Sequence, residues 1–354
     1  MITRVDLRGL DAAGPHRRAR VFAELAVLAE VIPGDRLEVV AADEDAFAAR
    51  LVVAAGTRVA RDPILRPAAT VYRAVGEAGP AACDDALTLA EPFDLGRLAD
   101  AEQGPADADR VLDARLQGMA RSPSVRWRIA ADWQAGILWE RFGVAADRIL
   151  RLPADARLPT GGRLASARLP AGLPDRYLLC LTPIGGGGDV AGLIAAHARL
   201  GRAAMALVVL GVDDESWLPP IRRAVETAGS RGRVMVLRDL DPVAQVAAIA
   251  RAAAVVAVAR HPAHAIRLRQ AAALGRPAVL RRHPGHADWV VGGRWFDAAG
   301  EELVEGLAAP LPIGPAAIPA TAGRVAGGLA AWLTAQRPDA AAPRRAGSDA
   351  NSAS

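Results

Sequence analysis

Residues 177–211 read YLLCLTPIGGGGDVAGLIAAHARLGRAAMALVVLG. The run 177–182 is apolar and too short for a helix. A proline and four glycines close it, so it reads as a strand buried on both faces of a sheet. Gly185, Gly186, Gly187 and Gly188 follow, and a helix opens at Asp189. MALVVLG, 205–211, is the next strand. Strand, glycine loop, helix and strand make the repeating unit of a parallel sheet with helices on both faces. A loop of this kind turns free backbone N–H groups toward a phosphate at the helix N-terminus. Glycine lets the anion approach with no Cβ in the way.

Working outward, the same rhythm continues on both sides. Downstream, the pattern predicts a helix at 217–228, a strand at 233–238, a helix capped by Asp241, a strand at 253–258, a helix ending at Gly275 and a strand at 277–280. Upstream, 2–7 reads as a strand, 17–31 as an amphipathic helix broken by Pro33-Gly34-Asp35, and 36–42 as a strand. Asp43 caps a helix running to Val53. From 57 to 125 the signal weakens, leaving a strand at 86–90 and a helix at 106–119. The helix at 131–142 is clear; Gly143 stops it, and 148–152 leads out as a strand. The proline- and glycine-rich stretch 153–175 shows no periodicity and reads as a linker. These readings give an N-terminal unit at 1–152, a second unit at 176–318, a closing helix at 319–336 and a polar tail at 337–354.

Composition bounds the function classes. The chain has 354 residues, 52 % of them apolar, enough for two cores. Aromatic residues are 4 %, so those cores consist of Ala, Val, Leu and Ile. There is no lysine, and all 43 basic residues are arginine. A net charge of +4, interspersed with Asp and Glu in no long basic run, argues against nucleic acid as a partner. It admits anionic substrates and peripheral contact with a membrane surface. Cys83 and Cys180 fit neither a zinc spacing nor a disulfide framework, and Cys180 reads as a buried small hydrophobe. The opening MITRVDLRGLD has no apolar signal core. No stretch reaches the roughly 18 apolar residues that span a bilayer. The expectation is a cytoplasmic protein.

The glycine run has two readings. Gly186, Gly188 and Ala191 satisfy G-x-G-x-x-A, with Asp213 and Asp214 after the next strand, the spacing of a nicotinamide dinucleotide site. The wider order favours another. VVLG, RVMVL, AAALGRPAVL and HPGHADWVVGGRWFD follow the glycine loop in sequence. In the first half stand VDLRGLDAAGPHRRARVFAEL and ADWQAGILWERFGVAADRILRL. In order and spacing, 2–310 resembles the retaining family 4 glycosyltransferases. That resemblance implies an α/β chain of the GT-B type, with two Rossmann-like parallel-sheet domains facing across a cleft. It implies transfer of a sugar from a nucleotide-sugar to a glycan or lipid-linked acceptor, with no metal and no cofactor beyond the donor itself. It also leaves room for a partner glycosyltransferase and for work at the inner membrane surface.

Several family positions are replaced. Counting back from Gly275, the family's two glutamates fall on Pro262 and Gln270, and the second normally accepts hydrogen bonds from the ribose. Gln270 retains an acceptor but no charge. The diphosphate-binding basic residue falls on Gly188, the acceptor-side His-Asp pair on Ala90 and Glu91, and the Glu of EVVG on Trp289. HRRAR stands for GIGR, keeping Arg20 on the acceptor side. In the family's reaction the leaving diphosphate takes the acceptor's proton, so the protein supplies mainly position and cations. Arg260, Arg267, Arg269, Arg281 and Arg282 fall near C-terminal strand ends, where open parallel sheets bind ligands. Arg267, Arg281 and Arg282 are the candidate diphosphate clamp, with Gly185–Gly188, and either Arg267 or Arg281 could replace the lost cation. His261, His264, His283 and His286 lack carboxylate companions at metal-ligand spacing. A catalytically inactive binding or scaffold subunit in glycan assembly is the alternative, and a nicotinamide enzyme the third reading.

Overall fold

The structure is a computed structural model. It describes residues 3–7, 25, 29, 33–34, 37–41, 49, 57–60, 70–75, 87–92, 95, 98, 107–129, 131–151, 158–159, 161–182, 184, 188–201, 204–211, 218–238, 240–260, 266–287, 290, 292–297 and 300–309.

Seven parallel strands form the first sheet: β1 (Thr3–Asp6), β2 (Leu37–Val40), β3 (Arg58–Ala60), β4 (Thr70–Val75), β5 (Leu87–Pro92), β6 (Val125–Ile129) and β7 (Ile149–Arg151). Their spatial order is β3-β2-β1-β4-β5-β6-β7. Helix α1 (Asp107–Arg121) joins β5 to β6, and α2 (Asp132–Phe142) joins β6 to β7. Helix α2 ends as its sequence requires. Gly143 takes a left-handed φ of 64°, and its N–H reaches back to the Trp139 carbonyl. Leu112, Leu116, Trp127 and Leu138 are buried together between these helices and β6.

The second sheet has six parallel strands: β8 (Tyr177–Cys180), β9 (Ala206–Leu210), β10 (Val234–Leu237), β11 (Ala254–Ala257), β12 (Ala278–Arg281) and β13 (Arg294–Phe296). Their order is β10-β9-β8-β11-β12-β13. The helices are α3 (Gly161–Ser166), α4 (Val190–Arg199), α5 (Leu218–Thr227), α6 (Pro242–Arg251), α7 (Ile266–Ala273), α8 (Pro284–Ala287) and α9 (Glu301–Ala308). Period two sorts the core. Tyr177 and Leu179 pack on one face with Val255 and Leu280, while Leu178 and Cys180 pack on the other with Val256 and Val279. Cys180 is fully buried, as its setting in an apolar run implied, and burial pushes its thiol up to about 12. Asp241 caps α6 by accepting from the N–H of Val243 at 2.8 Å and of Ala244 at 2.9 Å, with Pro242 in the first turn.

The expected strands and helices of the second half are present, and so is the α/β class of both halves. Three strands of the first half, β3, β4 and β6, were not expected. TVYRAV and VRWRI carry arginines inside the strand, which hides the apolar run. Arg148 shows what such charges do here. Its guanidinium donates to the carbonyls of Val125, Ala120 and Ser122 at 3.0, 2.8 and 2.6 Å, tying the turn between α1 and β6 to the chain before β7. The stretch 153–175, read as a linker without periodicity, contains α3, which packs on α6. Strand β13 and helices α8 and α9 were also unanticipated as elements. Of the helices expected at 17–31 and 43–53, only Leu25, Ala29 and Ala49 are described, all helical. The helix expected at 319–336, the tail 337–354 and Cys83 lie outside the described residues.

Candidate functional site

The second sheet reverses its winding between β8 and β11, which are neighbours although three strands apart in sequence. At such a switch point the loops leave in opposite directions and open a crevice at the C-terminal edge. The described ends of the glycine loop, Ile184 and Gly188, are both held at that edge. The loop's entry is fixed by the Ile184 N–H, which donates to the Gly211 carbonyl beyond β9 at 3.2 Å. Its exit is fixed by an antiparallel bridge from Gly188 to Ala259 beyond β11. The Thr182 hydroxyl accepts from the N–H groups of Val258 at 2.9 Å and Ala259 at 3.1 Å, locking the ends of β8 and β11 together. The loop is therefore anchored on both sides of the crevice. Gly185, Gly186 and Gly187 lie outside the described residues.

Asp189 caps α4, its Oδ1 accepting from the Gly192 N–H at 3.2 Å. Its second oxygen faces a cation. Arg281, the last residue of β12, brings a guanidinium nitrogen to 3.5 Å from Asp189 Oδ2. The two side chains are 20 % and 29 % exposed, so the pair is largely shielded from solvent. The neighbouring Arg282 points elsewhere: its Nε donates to Asp297 Oδ1 at 2.6 Å, on the surface.

Two histidines follow, His283 between β12 and α8 and His286 on α8. His286 is buried, and its Nδ1–H donates to the Arg281 carbonyl at 2.8 Å. Burial, outweighing that hydrogen bond, lowers its pKa to about 4, so the ring is neutral near pH 7. His283 accepts the Gly285 N–H on Nδ1 at 3.0 Å. Its ring meets Trp133 of α2 edge-on, centroids 5.6 Å apart and planes at 83°. Helices α2 and α8, one from each sheet, pack against each other around this pair.

Of the candidates chosen from sequence, the structure brings Arg281 to Asp189 at the start of α4 and leaves Arg282 on a surface carboxylate. Arg267 and Gln270 are both on α7, half-buried, between β11 and β12. Arg20, Pro262, His261, His264, Trp289, Asp213 and Asp214 lie outside the described residues. The sequence marks Asp189 only as the start of a helix. Its pairing with a residue 92 positions away has no local signal. Trp133 and the burial of His286 were equally invisible, because each depends on how the two sheets meet.

No family model matches the sequence, and no curated protein does. Solved structures match most of its length. WaaG, a glycosyltransferase involved in lipopolysaccharide biosynthesis, superposes with a TM-score of 0.61 at 16 % identity, over 87 % of this chain and 90 % of that one. Anabaena Alr3699/HepE, in complex with UDP-glucose, gives 0.63 at 13 % identity over 94 % and 95 %. The sucrose-phosphate synthase of Thermosynechococcus elongatus gives 0.61 at 13 % over 94 % and 99 %. The fold is GT-B. In GT-B terms the glycine loop, α4 and the end of β12 lie on the half that follows residue 176. At these identities the likeness extends to the fold, and the site must be argued from this chain's own residues.

No described helix is long and apolar enough to cross a membrane.

Proposed function

We propose that this protein is a glycosyltransferase, moving a sugar from a nucleotide-sugar to a glycan or lipid-linked acceptor with retention at the anomeric carbon, at the cytoplasmic side of a membrane. One observation carries the reading: Arg281, from β12, is delivered to the N-terminus of the helix that follows an anchored glycine loop. That puts a guanidinium and the first-turn N–H groups of α4 on one spot, the pairing that recognises a diphosphate. The family's cation is missing at Gly188, and Arg281 supplies a replacement from a different strand. The GT-B neighbour HepE was solved with UDP-glucose, which supports a donor of that class.

In this reading the anomeric C–O bond to the diphosphate breaks as the acceptor oxygen bonds to the same face of the sugar. The leaving phosphate oxygen takes the acceptor's proton. Arg281 and the helix N-terminus stabilise the charge that develops on the diphosphate, the term that dominates such transfers. No metal is needed for that step. Gln270 offers the ribose an amide oxygen in place of a carboxylate.

A second reading, a non-catalytic subunit that binds glycan or a partner glycosyltransferase, draws on Gln270 and Gly188 standing where the family carries charge. The deciding experiment is a thermal-shift titration of the full chain with UDP, GDP, ADP, their common sugar conjugates and NAD. Next comes release of nucleoside diphosphate from the sugar conjugate that binds. A shift with one nucleotide-sugar and acceptor-dependent release establish the transferase. A shift without release leaves the second reading. A shift with NAD alone rejects both.

A further inference from the structure

We infer that Asp189 is a built-in counter-anion of the donor site: it occupies Arg281 when no diphosphate is bound, competes with the diphosphate for it, and reclaims it when the nucleotide leaves. This inference rests on the donor-site reading above and concerns how that site is regulated.

Three features support it. Asp189 divides its oxygens, Oδ1 capping Gly192 N–H and Oδ2 facing Arg281. Its carboxylate therefore lies on the positive end of α4, where an incoming phosphate would bind. Next, the ion pair is incomplete. At 3.5 Å it lacks hydrogen-bond geometry, and among the described residues the buried Arg281 nitrogen of that pair has no hydrogen-bond partner. A shielded N–H without an acceptor is costly, and a phosphate oxygen would satisfy it better than Asp189 does. Finally, the cap and the counter-ion are separable. Asn and Ser cap helices about as well as Asp but carry no charge.

The consequence is a site tuned by charge. A diphosphate must either displace the carboxylate from the guanidinium or share the helix terminus with it at the cost of like-charge repulsion. Free phosphate, with no base or sugar to add binding elsewhere, is held out. The nucleoside diphosphate product leaves more readily because Asp189 takes back Arg281 behind it.

The test uses the full chain and two cap-retaining variants, Asp189→Asn and Asp189→Ser, each checked for an unchanged melting profile. UDP, GDP and ADP are titrated calorimetrically, with uridine, guanosine and adenosine as uncharged controls. Both variants should bind the preferred diphosphate at least about fivefold more tightly, the lower end of ordinary coupling between competing ligands. The matching nucleoside should bind as before. Diphosphate binding seen only in the variants would be the strongest support. Unchanged or weaker diphosphate binding in both variants, or equal tightening of the nucleoside, overturns the role of Asp189 and leaves the donor site standing. Absence of binding in the wild type and in both variants overturns the donor site along with it.

Discussion

In the second sheet, β8 and β11 are buried along their whole length by YLLC and AVVA, side chains with almost no charge to satisfy. In the first sheet, β2 is equally buried but includes Glu38, at 2 % exposure, and Asp6 and Arg128 are buried in β1 and β6. Arg4 donates its Nε–H to Glu38 Oε2 at 2.6 Å, and Arg58 approaches the other oxygen at 3.8 Å. Both sheets are parallel, yet one is held by apolar contact and the other partly by ion pairs that must stay matched. Burial alone does not make strands alike. A buried charge specifies its partner, and losing that partner costs more than losing a methyl group.

The comparison can be broken most directly at Glu38. Glu38→Ala removes the buried carboxylate to which Arg4, only 14 % exposed, donates, and should destabilise the protein by about 4 kcal/mol in urea unfolding. Leu179→Ala, in the second sheet, should cost about 3 kcal/mol through its cavity. Replacing Arg4 and Glu38 together by Met and Leu should cost far less than Glu38→Ala alone. A Glu38→Ala loss under about 1 kcal/mol would mean that the first sheet does not depend on its charges.

His286 extends the comparison to pH. Its folded pKa of about 4 lies below the unfolded value of roughly 6.5, so the unfolded chain binds the proton first. Stability should be full above that unfolded value and fall as pH drops toward 4, by up to about 3 kcal/mol. His286→Gln should flatten that slope in melting temperatures measured between pH 7 and 4. An identical slope in the variant would assign the loss to other groups.

The two adjacent arginines sharpen the comparison within the site. Arg281→Ala should weaken binding of a nucleoside diphosphate about tenfold, one charged hydrogen bond's worth. Arg282→Ala, whose partner is the surface carboxylate of Asp297, should leave affinity within about threefold. The reverse ranking in calorimetry would move the site to Arg282. The smallest effect belongs to Gln270→Glu. It should tighten nucleotide binding by about threefold, on the scale of one modest hydrogen bond. No change would place the ribose away from α7.

What the sequence revealed follows the same division. YLLC, ALVVL and AVVA announce buried strands because nothing in them needs an explanation beyond the sheet. TVYRAV and VRWRI conceal theirs, since arginines interrupt their apolar runs. The Asp241 cap was readable because its partners lie within three residues, and the glycine run because it is local. The pairing of Asp189 with Arg281 was not, because the strand order β8-β11-β12 creates it. Arg281 was singled out from its place at a strand end, but no pattern separated it from Arg282. The separation comes at the end of β12: Arg281, its last residue, faces Asp189, and Arg282 beyond it bonds Asp297 after β13.

Helix α8 has four residues, and both of its ends are engaged. Its His286 grips the carbonyl of Arg281, while His283, just ahead of it, abuts Trp133 from the other sheet. So short a segment has no slack to absorb a change in the angle between the two halves. The edge-on contact of His283 with Trp133 therefore joins α2 of the first half to the short stretch of chain that leads from Arg281 into α8.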